Sequence, residues 1–142
     1  MYRVAAYFAL SIITCSSMAA SFGELHIDEV VSVYDGDTFK VNINSLHPLL
    51  GERISIRIAG INTPELKGKC EYEKAQARKA KKFTVEQLRR AKKILLKEVR
   101  RDKYFRILAD TYVDGKSLSN LLLESNLAVK YHGGKKVNIW CE

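Results

Sequence analysis

The sequence predicts an α+β fold that is mainly β: five short strands, a long helix inserted after the third strand, and a short helix near the C-terminal end. Two observations carry this prediction. Apolar and polar residues alternate in short stretches on both sides of residues 71–91, which is the period of half-buried strands. Residues 71–91 themselves lack glycine and proline and are rich in alanine, lysine, arginine and glutamate, which favours a helix.

The first three strands precede the helix. Residues 30–34 are mostly apolar and β-branched, and the Asp35-Gly36 pair that follows is a strong turn signal. In the second strand one face carries a carboxylate and three apolar residues: Asp37, Phe39, Val41 and Ile43. In the third strand Ile54, Ile56 and Ile58 alternate with Arg53, Ser55 and Arg57. The sequence Asn62-Thr63-Pro64 is expected to end this strand.

The helix and two further strands complete the barrel. We predict the helix from Glu71 to about Ala91, with a break near Thr84, because residues 84–87 resemble a capping box. Residues 92–99 and 106–113 predict the remaining strands, Asp114-Gly115 a turn, and Ser117 the cap of a short helix. Five strands with an inserted helix fit a Greek-key barrel of the OB-fold type. We expect one domain, residues 21–142.

Residues 1–20 have the layout of a secretory signal peptide. A short basic start with Arg3 precedes an apolar run from Val4 to Thr14, and small residues follow up to Ala20. The run is too short to span a bilayer, and Thr14 before Cys15 argues against a lipoprotein. A buried first strand or helix is the alternative interpretation. The leader predicts a secreted or periplasmic protein with no stable membrane insertion after cleavage.

Charge and cysteine content narrow the function. The chain has 24 lysines and arginines against 16 acidic residues, a formal net charge of +8, which favours a polyanionic partner such as nucleic acid or an anionic membrane.

Without the leader, Cys70 and Cys141 remain, and an even number in an exported chain predicts a disulfide rather than two free thiols. Nothing in the sequence requires more than a monomer. His26, His47 and His132 fit no metal-binding spacing.

Three clusters could carry chemistry, although each has a plainer interpretation. Asp37, in Asp35-Gly36-Asp37-Thr38, is a partly buried carboxylate that needs a cation, yet the tetrapeptide could be only a hairpin turn. Around Arg57, Asn62, Thr63 and Glu65 could complete a calcium site, or form an Asx-turn beside a surface arginine.

The third cluster is the charge run of residues 101–106, which could be only a solvated loop. Two arginines, a carboxylate cluster and a basic surface nevertheless suit phosphodiester hydrolysis when taken together. In that reaction a metal polarises the phosphoryl oxygen, a carboxylate takes a proton from water, and guanidinium groups bind the equatorial oxygens.

The ordered motifs resemble the staphylococcal nuclease (thermonuclease) family. The resemblance rests on residues 34–38, on Arg57 with residues 62–65, on residues 102–106 with Ala109, Tyr112 and residues 114–116, and on the closing residues 137–140. It implies an OB-type barrel that uses calcium to cleave DNA and RNA, leaving 3′-phosphates. The implied roles are Asp37 and the Thr63 carbonyl as calcium ligands, Asp35 behind them, Glu65 as general base, Arg57 and Arg106 as the phosphate clamp, and Lys103 and Tyr104 as substrate contacts.

The chain departs from the family pattern in two places. Asn62 stands where the family has a second acidic calcium ligand; its amide oxygen can still coordinate, but we expect a higher calcium requirement or an altered metal preference. The family's terminal helix and stacking tyrosines are missing, with Tyr131 the residue that could take their place. A Cys70–Cys141 bridge could pin the shortened tail to the start of the first helix. The rival functions are a non-catalytic nucleic-acid-binding barrel and a basic protein on anionic envelope surfaces.

Overall fold

The computed structural model describes residues 21–136 and 139–141. The predicted signal peptide, residues 1–20, lies outside the described residues, as do residues 137 and 138 of the closing motif. The strands are β1 (Leu25–His26), β2 (Glu29–Val33), β3 (Thr38–Asn42), β4 (Ile54–Ile58), β5 (Ile61–Asn62), β6 (Ile94–Arg101), β7 (Ile107–Val113), β8 (Lys116–Ser117) and β9 (Val129–Lys130). The helices are α1 (Pro48–Gly51), α2 (Glu71–Arg90) and α3 (Leu118–Glu124).

The predicted fold is confirmed: a mainly β structure of the OB-fold type carries one long and one short helix. The main sheet has the order β1-β6-β7-β4-β3-β2, with β8 beside β7 and with β4 and β7 parallel. The segment from β1 to β2 curls the sheet into a barrel, because it pairs with β6 at Leu25 and with β3 at Val30. β5 and β9 form a separate two-stranded sheet, which the sequence analysis missed because each has only two residues.

The core fills the barrel between the sheet and the two longer helices. Phe39, Ile56, Ile58 and Leu96 come from the strands, and each side chain is fully buried. Leu118 and Leu122 lie one turn apart on α3 and are also fully buried, as the predicted apolar face of this helix requires. Among the described residues, no helix combines the length and apolar character needed to cross a bilayer.

The two predicted Asp-Gly turns are present, but they use glycine for different reasons. Asp114 and Gly115 both have positive φ, 48° and 81°, which is the backbone of a type I′ hairpin turn. Gly36 instead packs closely: a Cβ there would lie 2.7 Å from the Thr63 methyl and 2.8 Å from the Ala80 Cβ. Only glycine therefore lets the β2–β3 turn reach α2 and the chain after β5.

The predicted break near Thr84 is wrong, because α2 runs from Glu71 to Arg90 without interruption. Thr84 is fully buried, and its hydroxyl donates a hydrogen bond of 2.7 Å to the Gly36 carbonyl oxygen. The residue that resembled a helix cap thus ties the helix to the β2–β3 turn. The true N-cap is Cys70, whose sulfur accepts from the Glu73 N–H.

A disulfide joins the start of α2 to the end of the chain, which confirms the predicted Cys70–Cys141 pair. The Cα atoms are 5.9 Å apart and the sulfurs 2.07 Å apart. The bridge spans 71 positions of the sequence. No helix follows Glu124 within the described part of the chain, in agreement with the shortened tail expected from the sequence.

Candidate active site

A cleft of about 950 Å³ lies where β4, the β2–β3 turn, the β6–β7 loop and the tail after β9 meet. Eight of the predicted site residues line it: Asp35, Asp37, Arg57, Glu65, Lys103, Tyr104, Arg106 and Tyr131. Asn62 and Thr63 do not line this cleft. Residues scattered over almost a hundred positions of sequence are therefore brought to one concave surface, which is the usual form of a ligand site.

Arg57 is locked in place by backbone and carboxylate oxygens. Its guanidinium donates to the carbonyl oxygens of Ile58 at 2.6 Å and Ile61 at 2.8 Å, and lies 3.2 Å from an Asp37 carboxylate oxygen. Only 8% of its side chain is exposed. The prediction that Arg57 lies on the face opposite the isoleucines is confirmed, but the alternative of a solvated surface charge is wrong.

Asp37 is almost fully buried, and Thr63 helps to fix it. The Thr63 N–H and hydroxyl both donate to Asp37 Oδ2, at 2.8 and 3.0 Å, on the same oxygen that faces Arg57. The Thr38 hydroxyl donates to the other oxygen at 3.1 Å. Thr63 itself is 2% exposed, so its contribution to the site is made through Asp37 and through its backbone.

Asp35 lies beside Asp37 with little to offset its charge. Its carboxylate accepts the Asp37 N–H at 3.1 Å, and only 7% of the residue is exposed. Burial, and next the negative charge of Asp37, raise the pKa of Asp35 from 3.8 to about 6. Glu65 adds to this rise and Arg57 opposes it. Asp35 and Asp37 form an acidic corner of the cleft, where burial and the neighbouring carboxylate disfavour the charged form of Asp35 and a cation would stabilise it.

Arg106 is held by Asp102 in the loop between β6 and β7. One Asp102 oxygen accepts from the N–H groups of Tyr104 and Arg106, while the other faces the Arg106 guanidinium at 2.7 Å. Burial raises the pKa of Asp102, but the hydrogen bonds from Arg106 and Tyr104 outweigh it, so the pKa lies below its usual value. The charge run is thus a folded loop built on one carboxylate.

Two further predicted substrate residues sit on this loop. The Lys103 ammonium lies 5.0 Å, and the Arg106 guanidinium carbon 5.2 Å, from the centre of the Tyr104 ring. Tyr104 is 67% exposed, which leaves a face of the ring for solvent or a ligand. Across the cleft, the Tyr131 hydroxyl donates to the Gly134 carbonyl oxygen at 2.7 Å and so orders the tail.

Glu65 stands at the edge of the cleft and pairs with Lys136 of the tail. Its own N–H donates to the buried carboxylate of Glu73, on α2, at 3.3 Å. Glu73 also accepts the Lys69 N–H at 2.9 Å and is 4% exposed. The carboxylate of Glu73 thus orders the backbone that carries Glu65. Cys70, Glu73 and Cys141 cluster within 4.8 Å, but the two sulfurs are joined in the disulfide.

Asn62 does not line the cleft that contains Asp35 and Asp37. It lines a smaller pocket of about 250 Å³, together with Glu65, Lys136 and Trp140. Asn62 is 6% exposed, and its side-chain oxygen has no hydrogen-bond partner among the described residues. Glu65 lines both pockets, and Thr63, the residue after Asn62, donates to Asp37.

Three basic side chains line the cleft that were not predicted from the sequence: Arg100, His132 and Lys136. His132 fits no metal-binding spacing in the sequence, but it is exposed and lines the cleft. Lys136 could not be found from sequence because the disulfide brings it near Glu65. A signal for Arg100 was present in the sequence. Apolar residues in β6 recur two positions apart at Ile94 and Leu96 but three apart at Leu96 and Val99, and such a change indicates a β-bulge that alters which residues face the cleft.

The family of the chain follows from comparison with known proteins. The model of the staphylococcal nuclease homologue family matches residues 55–140, more than half of the chain, and the protein belongs to this family. The match contains Arg57, Glu65 and Arg106, whereas Asp35 and Asp37 precede it. A search among curated proteins returned no match. Membership indicates a nuclease or nucleic-acid-binding protein, and the family generally uses calcium.

Proposed function

We propose that this protein is an exported endonuclease that uses calcium to hydrolyse phosphodiester bonds in DNA and RNA, leaving 3′-phosphates. One observation carries the proposal: Arg57, Glu65 and Arg106 line a single cleft beside the carboxylates of Asp35 and Asp37. The two arginines can bind a phosphate, and Glu65 can activate a water molecule. The two aspartates can hold a cation that offsets the negative charge of the phosphate. A binding protein would need the cationic residues but not the buried acids.

The two arginines would clamp the scissile phosphate. Arg57 is fixed by three oxygen atoms, so its guanidinium is already oriented when substrate arrives. Arg106 is anchored by Asp102 on one edge, with 27% of its side chain exposed to the cleft. Charge that develops on the phosphoryl oxygens in the transition state would be stabilised by these two groups from different elements.

Glu65 would accept the proton of the attacking water. It is the acidic side chain of the cleft that is neither buried, as Asp35 and Asp37 are, nor engaged by an arginine, as Asp102 is. The Lys136 ammonium lies on one of its oxygens and holds the carboxylate at the cleft edge. A general base must lie within hydrogen-bond reach of the water, and an exposed carboxylate facing the phosphate clamp meets this requirement.

The acidic corner fits a hard cation. Asp35 and Asp37 are buried side by side, and the pKa of Asp35 is raised first by burial and next by the negative charge of Asp37. Carboxylate and carbonyl oxygens are the ligands calcium prefers, so Asp37 and the Thr63 carbonyl would hold the ion, with Asp35 behind them. Bound calcium would supply Lewis acidity toward the phosphate. The Asn62 side-chain oxygen, which has no hydrogen-bond partner among the described residues, is a further candidate ligand, in the neighbouring pocket that Glu65 also lines.

The substrate class follows from the charge of the cleft rim. Lys103, Arg106 and Lys136 line its edge, and Tyr104 offers an exposed ring between two of the cations. A cationic groove with aromatic side chains suits single-stranded or frayed nucleic acid without base preference. We propose Tyr104 and Tyr131 as the aromatic contacts and a monomer as the active form. Export is proposed from the leader and agrees with a disulfide-bonded chain.

The decisive experiment is cleavage of plasmid DNA and of RNA by the purified protein, with added calcium or with a chelator. We expect calcium-dependent cleavage of both substrates. Glu65→Gln should lower kcat by about 10²- to 10⁴-fold without loss of fold, as removal of a general base does. Glu52→Gln, an exposed glutamate outside the cleft, is the matched control. Binding of nucleic acid without cleavage under any divalent metal would instead favour the non-catalytic barrel.

A further inference from the structure

We propose that Arg100 forms a second phosphate-binding position in this cleft, one that contacts a phosphate next to the scissile one. The proposal rests on the proposed function, and it adds a residue to which neither the family resemblance nor the sequence motifs assign a role. Arg100 lines the cleft together with Arg57 and Arg106. It would make the protein prefer chains with several phosphates over a single phosphodiester.

A β-bulge places Arg100 on the cleft side of the sheet. Along β6, the pairing with β7 runs from Ile94 to Lys97 and then shifts before Arg100, which pairs with Leu108. Without the shift, Arg100 would lie opposite Ile107, whose side chain is in the core. The bulge contains Glu98, a non-glycine residue with a φ of 49°. Such a backbone is strained, and strain of this kind concentrates at functional sites.

The sheet then presents a row of side chains toward the cleft. Thr38 pairs with Arg57, Arg57 with Leu108, and Leu108 with Arg100. Residues directly opposite each other in neighbouring strands lie on the same face, and all four line the cleft. Arg57 and Arg100 therefore flank Leu108, with backbones two strand spacings, about 10 Å, apart.

The guanidinium of Arg100 lacks the partners that hold the other two arginines. Its Nε is buried and has no hydrogen-bond partner among the described residues, and no ion pair of the described chain involves it. Its neighbour Asp102 has both carboxylate oxygens occupied by the β6–β7 loop and Arg106. A buried donor left unpaired costs free energy, so an anion that accepts from it gains affinity.

The position of Arg57 explains why Arg100 would bind a different phosphate. The Arg57 guanidinium is tied to the carbonyls of Ile58 and Ile61, at the connection between β4 and β5. Arg100 approaches from the other side of Leu108, on β6. A strand of nucleic acid laid across this row meets one arginine on each side of an apolar residue. A substrate with one phosphodiester can satisfy Arg57 and Arg106 but leaves Arg100 unused.

Two substrates test the proposal: a dinucleoside monophosphate, which has one phosphodiester, and a short single-stranded oligonucleotide. In Arg100→Gln we expect kcat/KM for the oligonucleotide to fall about tenfold to a hundredfold, mainly through KM, since a charge-assisted hydrogen bond is lost. Cleavage of the dinucleoside monophosphate should change less than twofold. Equal losses on both substrates, or no loss on either, would overturn the proposal.

Direct binding separates this inference from the proposed function. In the Glu65→Gln background, with a chelator, fluorescence anisotropy of the labelled oligonucleotide should show about tenfold weaker binding on adding Arg100→Gln. The slope of log affinity against log salt should fall by about 0.7, the value for one phosphate contact on a single strand. These changes are expected even if the protein cleaves nothing, and unchanged binding would refute the assignment of Arg100.

Two further variants distinguish a specific contact of Arg100 from a general effect of lost positive charge. Arg78→Gln, on the exposed surface of α2, removes the same charge outside the cleft and should alter binding less than threefold. Arg100→Lys keeps the charge but loses the planar fork, and we expect an affinity between those of the parent and Arg100→Gln. If Arg78→Gln weakens binding as much as Arg100→Gln does, the effect is general attraction and the proposed site does not exist.

Discussion

The cleft holds two arginine–carboxylate pairs that differ in exposure and in the contacts that fix them. Arg57 and Asp37 lie on the barrel wall, with side-chain exposures of 8% and 5%. Arg106 and Asp102 lie in the β6–β7 loop, with exposures of 27% and 14%. The first pair is fixed by carbonyl oxygens and Thr63, whereas the second depends on contacts within a single loop.

This difference separates two ways of presenting a guanidinium to a phosphate. The barrel wall supplies a rigid group whose position is determined by the fold, so its loss should disturb both stability and activity. The loop supplies a more exposed group, whose loss should disturb activity far more than stability. Four substitutions test this difference between the barrel wall and the loop, in order from the largest expected effect on the free energy of unfolding to the smallest.

Arg57→Ala should have the largest effect. It leaves the Asp37 carboxylate buried beside Asp35 without a cation, and removing one partner of a buried ion pair typically costs about 3–5 kcal/mol. We expect this loss in the free energy of unfolding from urea denaturation, measured with a chelator present. A loss below about 1 kcal/mol would show that the barrel-wall pair is not the rigid element we infer.

Asp35→Asn should stabilise the protein. The folded-state pKa of Asp35 is raised from 3.8 to about 6, so the neutral form contributes stability below pH 3.8 that is lost as the pH rises through about 6. Asparagine keeps that neutral state at all pH values. We expect a gain of about 1–3 kcal/mol at pH 7 in a chelator, and a flatter stability profile between pH 4 and 6. An unchanged profile would contradict the raised pKa of Asp35.

Asp102→Asn should cost about 1 kcal/mol, because the carboxylate orders its loop but solvent screens the pair. The pKa of Asp102 is depressed by its hydrogen bonds, so its contribution is present above its usual pKa of 3.8 and is lost as the pH falls through the lower folded value. In the variant, this acid-dependent part of the stability should disappear. Asp110→Asn, an acid on β7 outside the cleft, is the control.

Arg106→Ala should have the smallest effect on stability, below about 1 kcal/mol, together with a loss of about 10²- to 10³-fold in kcat/KM. The comparison with Arg57→Ala is the sharpest test of the difference between the barrel wall and the loop. Similar losses of activity with clearly different stabilities would confirm it. Equal destabilisation by both substitutions would show that the loop is as integral to the fold as the barrel wall.

Much of this site could be predicted from the sequence because many of its residues lie close together along the chain. Motif and turn signals identified three contiguous segments: Asp35-Gly36-Asp37-Thr38, residues 62–65 and the loop from Asp102 to Arg106. The long helix followed from composition, but its expected break at Thr84 was wrong. The Thr84 hydroxyl bonds to Gly36, a residue 48 positions away, and no local pattern contains that partner.

The missed residues depend on contacts between distant segments. Arg100 reaches the cleft through the bulge at Glu98, which reverses the alternation that strand prediction assumes. Lys136 reaches Glu65 through a tail whose course is set by the covalent bond to Cys70. Asn62 was expected in the calcium site, yet the structure turns it toward a neighbouring pocket; its role stays a prediction.

The disulfide also bears on when the cleft is complete. The tail that carries Tyr131, His132 and Lys136 forms one wall of the cleft, and its far end is fastened to α2 by Cys70 and Cys141. In a reducing compartment that fastening is absent, and the wall would be free to leave Glu65. If the protein is an exported nuclease, as we propose, its cleft would be complete only in an oxidising compartment, where this disulfide forms.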